Sequence, residues 1–254
     1  MTARIALVTG AGSAEGIGFA IARRLAQQGM HVVLTSTTDR CHARAEELRS
    51  EGLEASSFVA DLTDATQVTH LLDAVRTSVG APLVVVNNAG MTSVVDPMPE
   101  SQRTHLVDPA AWLRLMERNV LPTHLVTHGV LPAMLAAGYG RIVNIASTTG
   151  VTGAMMGESA YATAKSGIVG FTRGLAVEYA RDGITANAIA PGWIATASQT
   201  EDEQRQGRMT PAGRSGTPLE IAHIVAALCA EDAGYITGQC IVIDGGNAIA
   251  EERA

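Results

Sequence analysis

The sequence predicts an α/β fold: a single domain over residues 1–254, built as a doubly wound parallel sheet of about seven strands flanked by helices. Short β-branched runs recur between longer stretches of helical period along the whole chain. Hydrophobic residues make up 46% of the sequence but aromatics only 4%, so the core must rest on Ala, Val, Ile and Leu, the residues of a sheet covered on both faces. No internal repeat, low-complexity tract or Pro-rich linker marks a domain boundary.

The elements follow in order. Strands are expected at 5–9, 31–35, 55–60, 83–87, 141–146, 185–190 and 240–243, each a short apolar or β-branched run. Helices are expected at 17–28, 41–50, 65–79, 109–136, 160–181 and 218–229. In the first of them Ile17, Ala20, Ile21 and Leu25 share one face, and Gly29 stops the helix. Two segments break the alternation: 91–107, with its prolines, and 193–217, rich in Gln, Glu, Gly and Arg. Both follow strands on the carboxyl edge, where such sheets hold their ligands, and both are read as loops that cover a substrate.

Composition narrows the classes of function. A formal net charge of −7 argues against nucleic acid or an anionic membrane as partner. The three cysteines, Cys41, Cys229 and Cys240, form no CxxC pair and are read as reduced thiols of a cytoplasmic protein. The amino terminus lacks the apolar run of a signal peptide, and no stretch is read as reaching the ~18 apolar residues of a membrane span. The seven histidines are read as scattered, without HxxxH or similar spacing, and as solvated or capping residues, so no metal is expected.

Chemistry enters first at the turn after the first strand. Gly10, Gly12, Gly16 and Gly18, with Ser13 and Ile17 among them, lead from Ile5–Thr9 into a helix. Glycines there permit a tight turn and a close approach to a pyrophosphate, whose charge is favoured at a helix amino terminus, a Rossmann-type arrangement. Further on, Tyr161 and Lys165 stand one helical turn apart. An ammonium beside a phenol favours the phenolate, so the pair is expected to lower the tyrosine pKa toward the range useful for proton transfer. Ser147 ends the strand before them, where its hydroxyl can bind a reacting oxygen.

Thr9-Gly10 followed by Gly16-Ile17-Gly18, with Ser147, Tyr161 and Lys165, resembles the short-chain dehydrogenase/reductase family. The glycine turn is two residues longer than the family's usual form, through Ala14 and Glu15, and the interval from Ser147 to Tyr161 is one residue longer. The resemblance extends over nearly the whole chain. It implies a nicotinamide-dependent oxidoreductase that interconverts a ketone and a secondary alcohol, with Tyr161 as general acid/base. It also implies that Ser147 binds the reacting oxygen, Lys165 holds the cofactor ribose, and Asn119 holds a water linking Lys165 to solvent. Asn88-Ala89-Gly90 resembles the family's segment bordering the cofactor, Asp61-Leu62 the pair beside the adenine, and Pro191, Gly192, Ile194 and Thr196 the segment that meets the nicotinamide carboxamide. A homotetramer is implied too, with the helices at 109–136 and 160–181 forming one interface and 218–246 another.

Cofactor choice rests on the end of the second strand. Ser36, Thr37, Thr38 and Arg40 supply hydroxyls and a cation suited to a 2′-phosphate, so NADP(H) is favoured, and Asp39 is read as the next helix's N-cap. Glu15 opposes this choice if its charge faces the phosphate, which keeps NAD(H) as the alternative. The segment Ala212–Pro218 is similar to that of 3-oxoacyl-carrier-protein-reductase-like members. Gly138 and Asp182 stand where such members present basic residues to an acidic carrier, although Arg141, Arg173 and Arg181 are also candidates for that role. A small ketone or alcohol is therefore favoured over a carrier-bound thioester. A non-catalytic dinucleotide sensor is the reading from another class; it would not need Ser147, Tyr161 and Lys165 together.

Overall fold

In the computed structural model, residues 4–90 and 102–251 are described. Strands β1 (Ile5–Thr9), β2 (His31–Ser36), β3 (Ala55–Val59), β4 (Val84–Asn87), β5 (Gly140–Ile145), β6 (Ile184–Pro191) and β7 (Cys240–Ile243) form one sheet. Their order is β3-β2-β1-β4-β5-β6-β7, with every neighbouring pair parallel. Helices α1 (Ile17–Gln27), α2 (Arg40–Ser50), α3 (Ala65–Ser78), α4 (Pro109–Ala137), a single irregular turn α5 (Thr148–Val151), α6 (Ser159–Tyr179), α7 (Glu201–Arg208) and α8 (Pro218–Cys229) make up the rest, with three short 3₁₀ turns.

Residue alternation along the strands builds two apolar layers. Ala6 and Val8 of β1 join Val32 and Leu34 of β2 under α1, α2 and α8. Leu7 and Val33, one residue out of phase, join Val85 on the other face under α3, α4 and α6. Both faces of the central strands are thus buried, which is why those strands read as continuous apolar runs. Aromatic side chains contribute little: among the described residues, Phe19 alone of the large fully buried side chains carries a ring.

The sheet order reverses between β1 and β4, and a crevice opens at their carboxyl ends. Segment 193–217 departs from the expected loop. It contains α7, started by a capping box in which Thr200 and Glu203 satisfy each other's backbone N–H groups. Of the other expected loop, residues 91–101 and with them Met91 lie outside the described residues. The remainder folds a 3₁₀ turn at Thr104–Leu106, tied to α6 by Thr104 Oγ1 and Ser159 Oγ at 2.9 Å.

The expectation that no stretch is long and apolar enough to span a membrane needs correction, because α4 is such a helix by length and composition. It serves as a core helix: Val126, Val130, Leu131 and Met134 pack into the layer beneath α3 and α6. Pro122 and Pro132 lie inside it, the first of them one turn after Asn119.

Candidate active site

The crevice is held open by one hydroxyl and one amide. Thr9 ends β1, and its Oγ1 accepts the N–H groups of Asn88 and Ala89, each at 2.9 Å. Asn88 Nδ2 in turn donates to the carbonyls of Thr9 and Gly10 at 3.0 and 3.1 Å. The ends of β1 and β4 are thereby fixed to one another. Close packing explains two of the glycines: a Cβ on Gly18 would lie 2.6 Å from both Asn88 Nδ2 and the Gly10 carbonyl oxygen, and Gly10 itself has φ +67°. Gly90, at φ +135°, lets the chain after β4 pass the Asn119 backbone, with a Cβ there only 3.3 Å from its Cα.

No side chain caps α1 at Gly16, so its first-turn N–H groups are left for an anion. Ser13 closes the turn through its carbonyl, which accepts the Gly16 N–H at 3.2 Å, while the added residues Ala14 and Glu15 bulge into solvent. Ile17 is half-buried and packs against the α1 layer. Beside the turn, a Cβ on Gly12 would touch Ser36 Oγ at 3.0 Å. Ser36 donates to the Thr38 carbonyl at 2.6 Å, Arg40 Nε donates to Thr38 Oγ1 at 3.1 Å, and Thr37 and Arg40 are exposed. These groups fit a phosphorylated dinucleotide. Asp39 holds the N-cap position of α2 but does not cap it. Its backbone is helical, φ −61° and ψ −6°, and its side chain makes no cap bond.

The catalytic candidates converge at the end of β5. Ser147 is extended and accepts the Thr149 N–H at 3.1 Å. Its hydroxyl also acts on the Tyr161 phenol, favouring the phenolate. Lys165 is buried, 3% exposed, with Nζ donating to the Ile145 carbonyl at 3.2 Å and lying 5.6 Å from the centre of the Tyr161 ring. The expected lowering of the tyrosine pKa is not found. Burial pushes the phenol up to about 12 against the pull of Ser147, and the carboxylates of Glu158 and Glu203 raise it further. Lys165 is itself driven down to about 8 by burial. Desolvation is the largest cause of both shifts.

Asn119 is buried on α4, its Nδ2 donating to the Leu115 carbonyl at 3.0 Å, while its Oδ1 has no partner. One end of the amide thus satisfies helix backbone, and the other is an orphaned acceptor of the kind that ordered water fills. Asp61 folds back on Thr63, accepting from its N–H at 2.9 Å and its Oγ1 at 2.7 Å, and Leu62 beside it is buried.

On the far side, β6 ends at Pro191. The Gly192 N–H donates to the Ile243 carbonyl at 2.9 Å, where a Cβ would lie 2.7 Å from Asp244 Cβ. Ile194 bridges to Gly216, and Gln199 Nε2 donates to Ser215 Oγ at 2.8 Å, so the two stems of the segment carrying α7 are joined. Thr196 Oγ1 lies 3.1 Å from Ser198 Oγ.

Three further readings of the sequence are corrected. Gly138 and Asp182 precede β5 and β6, at the amino edge of the sheet, whereas Ser147 follows β5. At about 3.3 Å per residue, the six-residue β5 alone separates the two edges by roughly 20 Å, so neither residue flanks the crevice. Arg141 is no docking group either: it is buried and donates to the carbonyls of Gly140, Gly183, Ala230 and Glu231. The histidines are not all scattered, since His124 and His128 stand four apart on α4 with ring centres 6.0 Å apart. Sequence reasoning also passed over Glu158 and Glu203. Glu203 carried a legible signal in the Thr200-x-x-Glu203 capping box, whereas the nearness of Glu158 to the phenol depends on how the chain folds back after Ser147.

A family model described as enoyl-(acyl carrier protein) reductase matches residues 10–248. The chain belongs to the short-chain dehydrogenase/reductase family. This dehydrogenase/reductase is 38% identical over 252 residues to 3-oxoacyl-[acyl-carrier-protein] reductase FabG of Haemophilus influenzae, covering 97% of this chain and 98% of that one. It is 35% identical over 266 residues to the oxidoreductase UcpA of Escherichia coli, covering 99% and 97%. Among solved structures, a single-substitution variant of actinorhodin polyketide ketoreductase with NADPH superposes with a TM-score of 0.88 at 35% identity, over 98% of each chain. A gluconate 5-dehydrogenase from Burkholderia cenocepacia, in complex with NADP and tartrate, gives 0.87 at 30% identity, over 98% of this chain and 97% of that one.

Proposed function

We propose that Tyr161 is the general acid/base of this dehydrogenase/reductase, with Ser147, Lys165 and Asn119 arranged around it. The enzyme interconverts a ketone and a secondary alcohol with NADP(H), in line with its reductase, ketoreductase and dehydrogenase relatives. The observation that carries the role of Tyr161 is the burial of Lys165 beside the Tyr161 ring, with Ser147 at the carboxyl end of β5. When bound, the nicotinamide supplies or accepts the hydride.

The protein's own groups manage the oxygen and the proton. A phenol held near 12 is protonated at neutral pH, the form that carbonyl reduction requires. Ser147 presents a second donor for the substrate oxygen. Lys165, held near 8, sits where its charge favours loss of the tyrosine proton and can itself be refilled near neutral pH. The free acceptor of Asn119 suits a water that connects this lysine to solvent. The glycine turn and the first turn of α1 hold the pyrophosphate, Ser36, Thr37 and Arg40 the 2′-phosphate, Asp61 and Leu62 the adenine side, and Pro191, Gly192, Ile194 and Thr196 the carboxamide.

We place a small ketone or alcohol in the crevice, because two carboxylates, Glu158 and Glu203, already act on the phenol. A carrier-bound 3-oxoacyl thioester is the second reading, favoured by the 38% identity to a carrier-protein reductase. We further infer a soluble cytoplasmic homotetramer with its three cysteines free. The deciding assay follows nicotinamide absorbance with small ketones, a small 3-oxoacyl thioester and its carrier-bound form. Tyr161→Phe should lose ~10²–10⁴ in turnover on every accepted substrate while binding NADPH within a few-fold of the parent. Retained turnover would remove Tyr161 from its role, and a large low-salt preference for the carrier-bound form would select the second reading.

A further inference from the structure

We propose that Glu203 is a specificity residue: its carboxylate, on the inner face of α7, binds an ammonium group carried by the ketone or alcohol substrate. The proposal rests on the oxidoreductase reading of the crevice and names the substrate class within it. α7 belongs to the stretch that leaves the sheet after β6 and is fastened again where the Ala212 N–H donates to the Gly245 carbonyl, just past β7. Both attachments lie on the carboxyl edge of the sheet, where Ser147 follows β5, so α7 stands at the crevice.

The helix turns a polar face inward. Glu203, Gln206 and Gly207, spaced i, i+3 and i+4, are less exposed than Glu201, Asp202, Gln204 and Arg205. Gly207 seats this face, since a Cβ there would collide with the Ser215 side chain. A helix covering an apolar substrate would turn apolar groups toward it, and α7 has none. The capping box occupies only part of the acid. The Thr200 N–H donates to its Oε2 at 2.7 Å, which fixes the carboxylate, while Oε1 makes no hydrogen bond among the described residues. The cations of α7 leave its charge in place: Arg205 is paired with Asp202, and Arg208 lies about 140° around the helix from the acid. That charge reaches the reacting groups, because Glu203 and Glu158 both help to hold the Tyr161 proton. Lys165, the cation beside the ring, is buried against the Ile145 carbonyl, where desolvation favours its neutral form. A substrate seated on Tyr161 therefore lies in the field of two half-buried, weakly screened carboxylates. An ammonium there is attracted, and a substrate carboxylate is repelled.

The test compares aminoacetone, hydroxyacetone and acetoacetate, with their phenyl ketone counterparts, as substrates with NADPH at neutral pH. They carry an ammonium, a hydroxyl and a carboxylate on similar frames. Measuring each in the parent, Glu203→Gln and Glu203→Lys cancels differences in intrinsic carbonyl reactivity. Glutamine also serves at this position of a capping box, so Glu203→Gln removes the charge and should melt like the parent. The ratio of kcat/KM for the ammonium ketone to that for the hydroxyl ketone should fall roughly tenfold in Glu203→Gln. It should fall further in Glu203→Lys, which should gain on the carboxylate ketone. The pH profile of alcohol oxidation should also move to lower pH in Glu203→Gln, a change that a capping role alone would not produce. Equal ratios in all three proteins would overturn the proposal and leave the oxidoreductase reading standing. Turnover of none of these ketones by the parent would overturn both.

Discussion

Lys165 and Tyr161 show how far a residue pair can be read before it is folded. Their spacing places them together on a helix, and that much is legible in the sequence. Their electrostatics is not, because it depends on what covers them. Lys165 lies under β5 with its ammonium against the Ile145 carbonyl, and burial drives both groups toward their neutral forms. The stability consequence has a definite sign. Between pH 8 and the usual lysine range the unfolded chain holds a proton that folded Lys165 has released, so stability rises with pH across that window. Tyr161 acts oppositely from about pH 10 to 12, where the folded chain keeps a proton that the unfolded chain has lost. Denaturant unfolding at pH 7 and 9.5 should therefore show the parent gaining about 2 kcal/mol relative to Lys165→Met. A pH profile unchanged by the substitution would count against a buried ammonium. Arg40 is simpler. Among the described residues only its Nε is engaged, by Thr38, and its terminal nitrogens remain for a phosphate. Arg40→Ala should raise KM for NADPH by roughly ten- to a hundredfold and leave NADH nearly unchanged, as initial rates with each cofactor will show.

Whether an element was legible depended on how much of its pattern is apolar. β1 and β7 match their expected limits, and the others shift by a residue or so, because strands buried on both faces announce themselves as apolar runs. α7 was missed for the converse reason. Glu201–Arg208 contains no apolar side chain, so its period carries no signal; its capping box and its order of acids first and bases last were the available cues. The junction of α1 with β4 yields a sharper expectation. A methyl group on Gly18 meets the Gly10 carbonyl and the Asn88 amide at 2.6 Å, and neither is a flexible end. Gly18→Ala should cost roughly 1–3 kcal/mol and weaken cofactor binding together with stability. Thermal unfolding with and without NADPH checks both, and a variant that melts and binds like the parent would show that the junction can yield.

At the scale of the whole molecule, several apolar side chains remain on the surface of the isolated chain. Leu113 and Leu135 of α4, Val177 of α6, Leu219 of α8 and Tyr235 near the closing strand are all exposed. Symmetric pairing through α4 and α6, and through α8 with β7, would cover them. Sedimentation should give a tetramer at micromolar concentration, and a monomer there would show these faces to be unpaired. The acidic balance of the chain and the layered core were readable from composition. Which edge of the sheet a residue occupies was not: Gly138 and Asp182 changed sides once β5 and β6 were placed. The joined stems of the segment after β6 have a different bearing. Ile194 meets Gly216, and Gln199 meets Ser215, so the stretch between them leaves and rejoins the domain at one neck, and it is fastened again where the Ala212 N–H donates to the Gly245 carbonyl at 3.1 Å. Divergence along this stretch is therefore felt at the acid itself, because Glu203 lies within it and bears on the Tyr161 phenol.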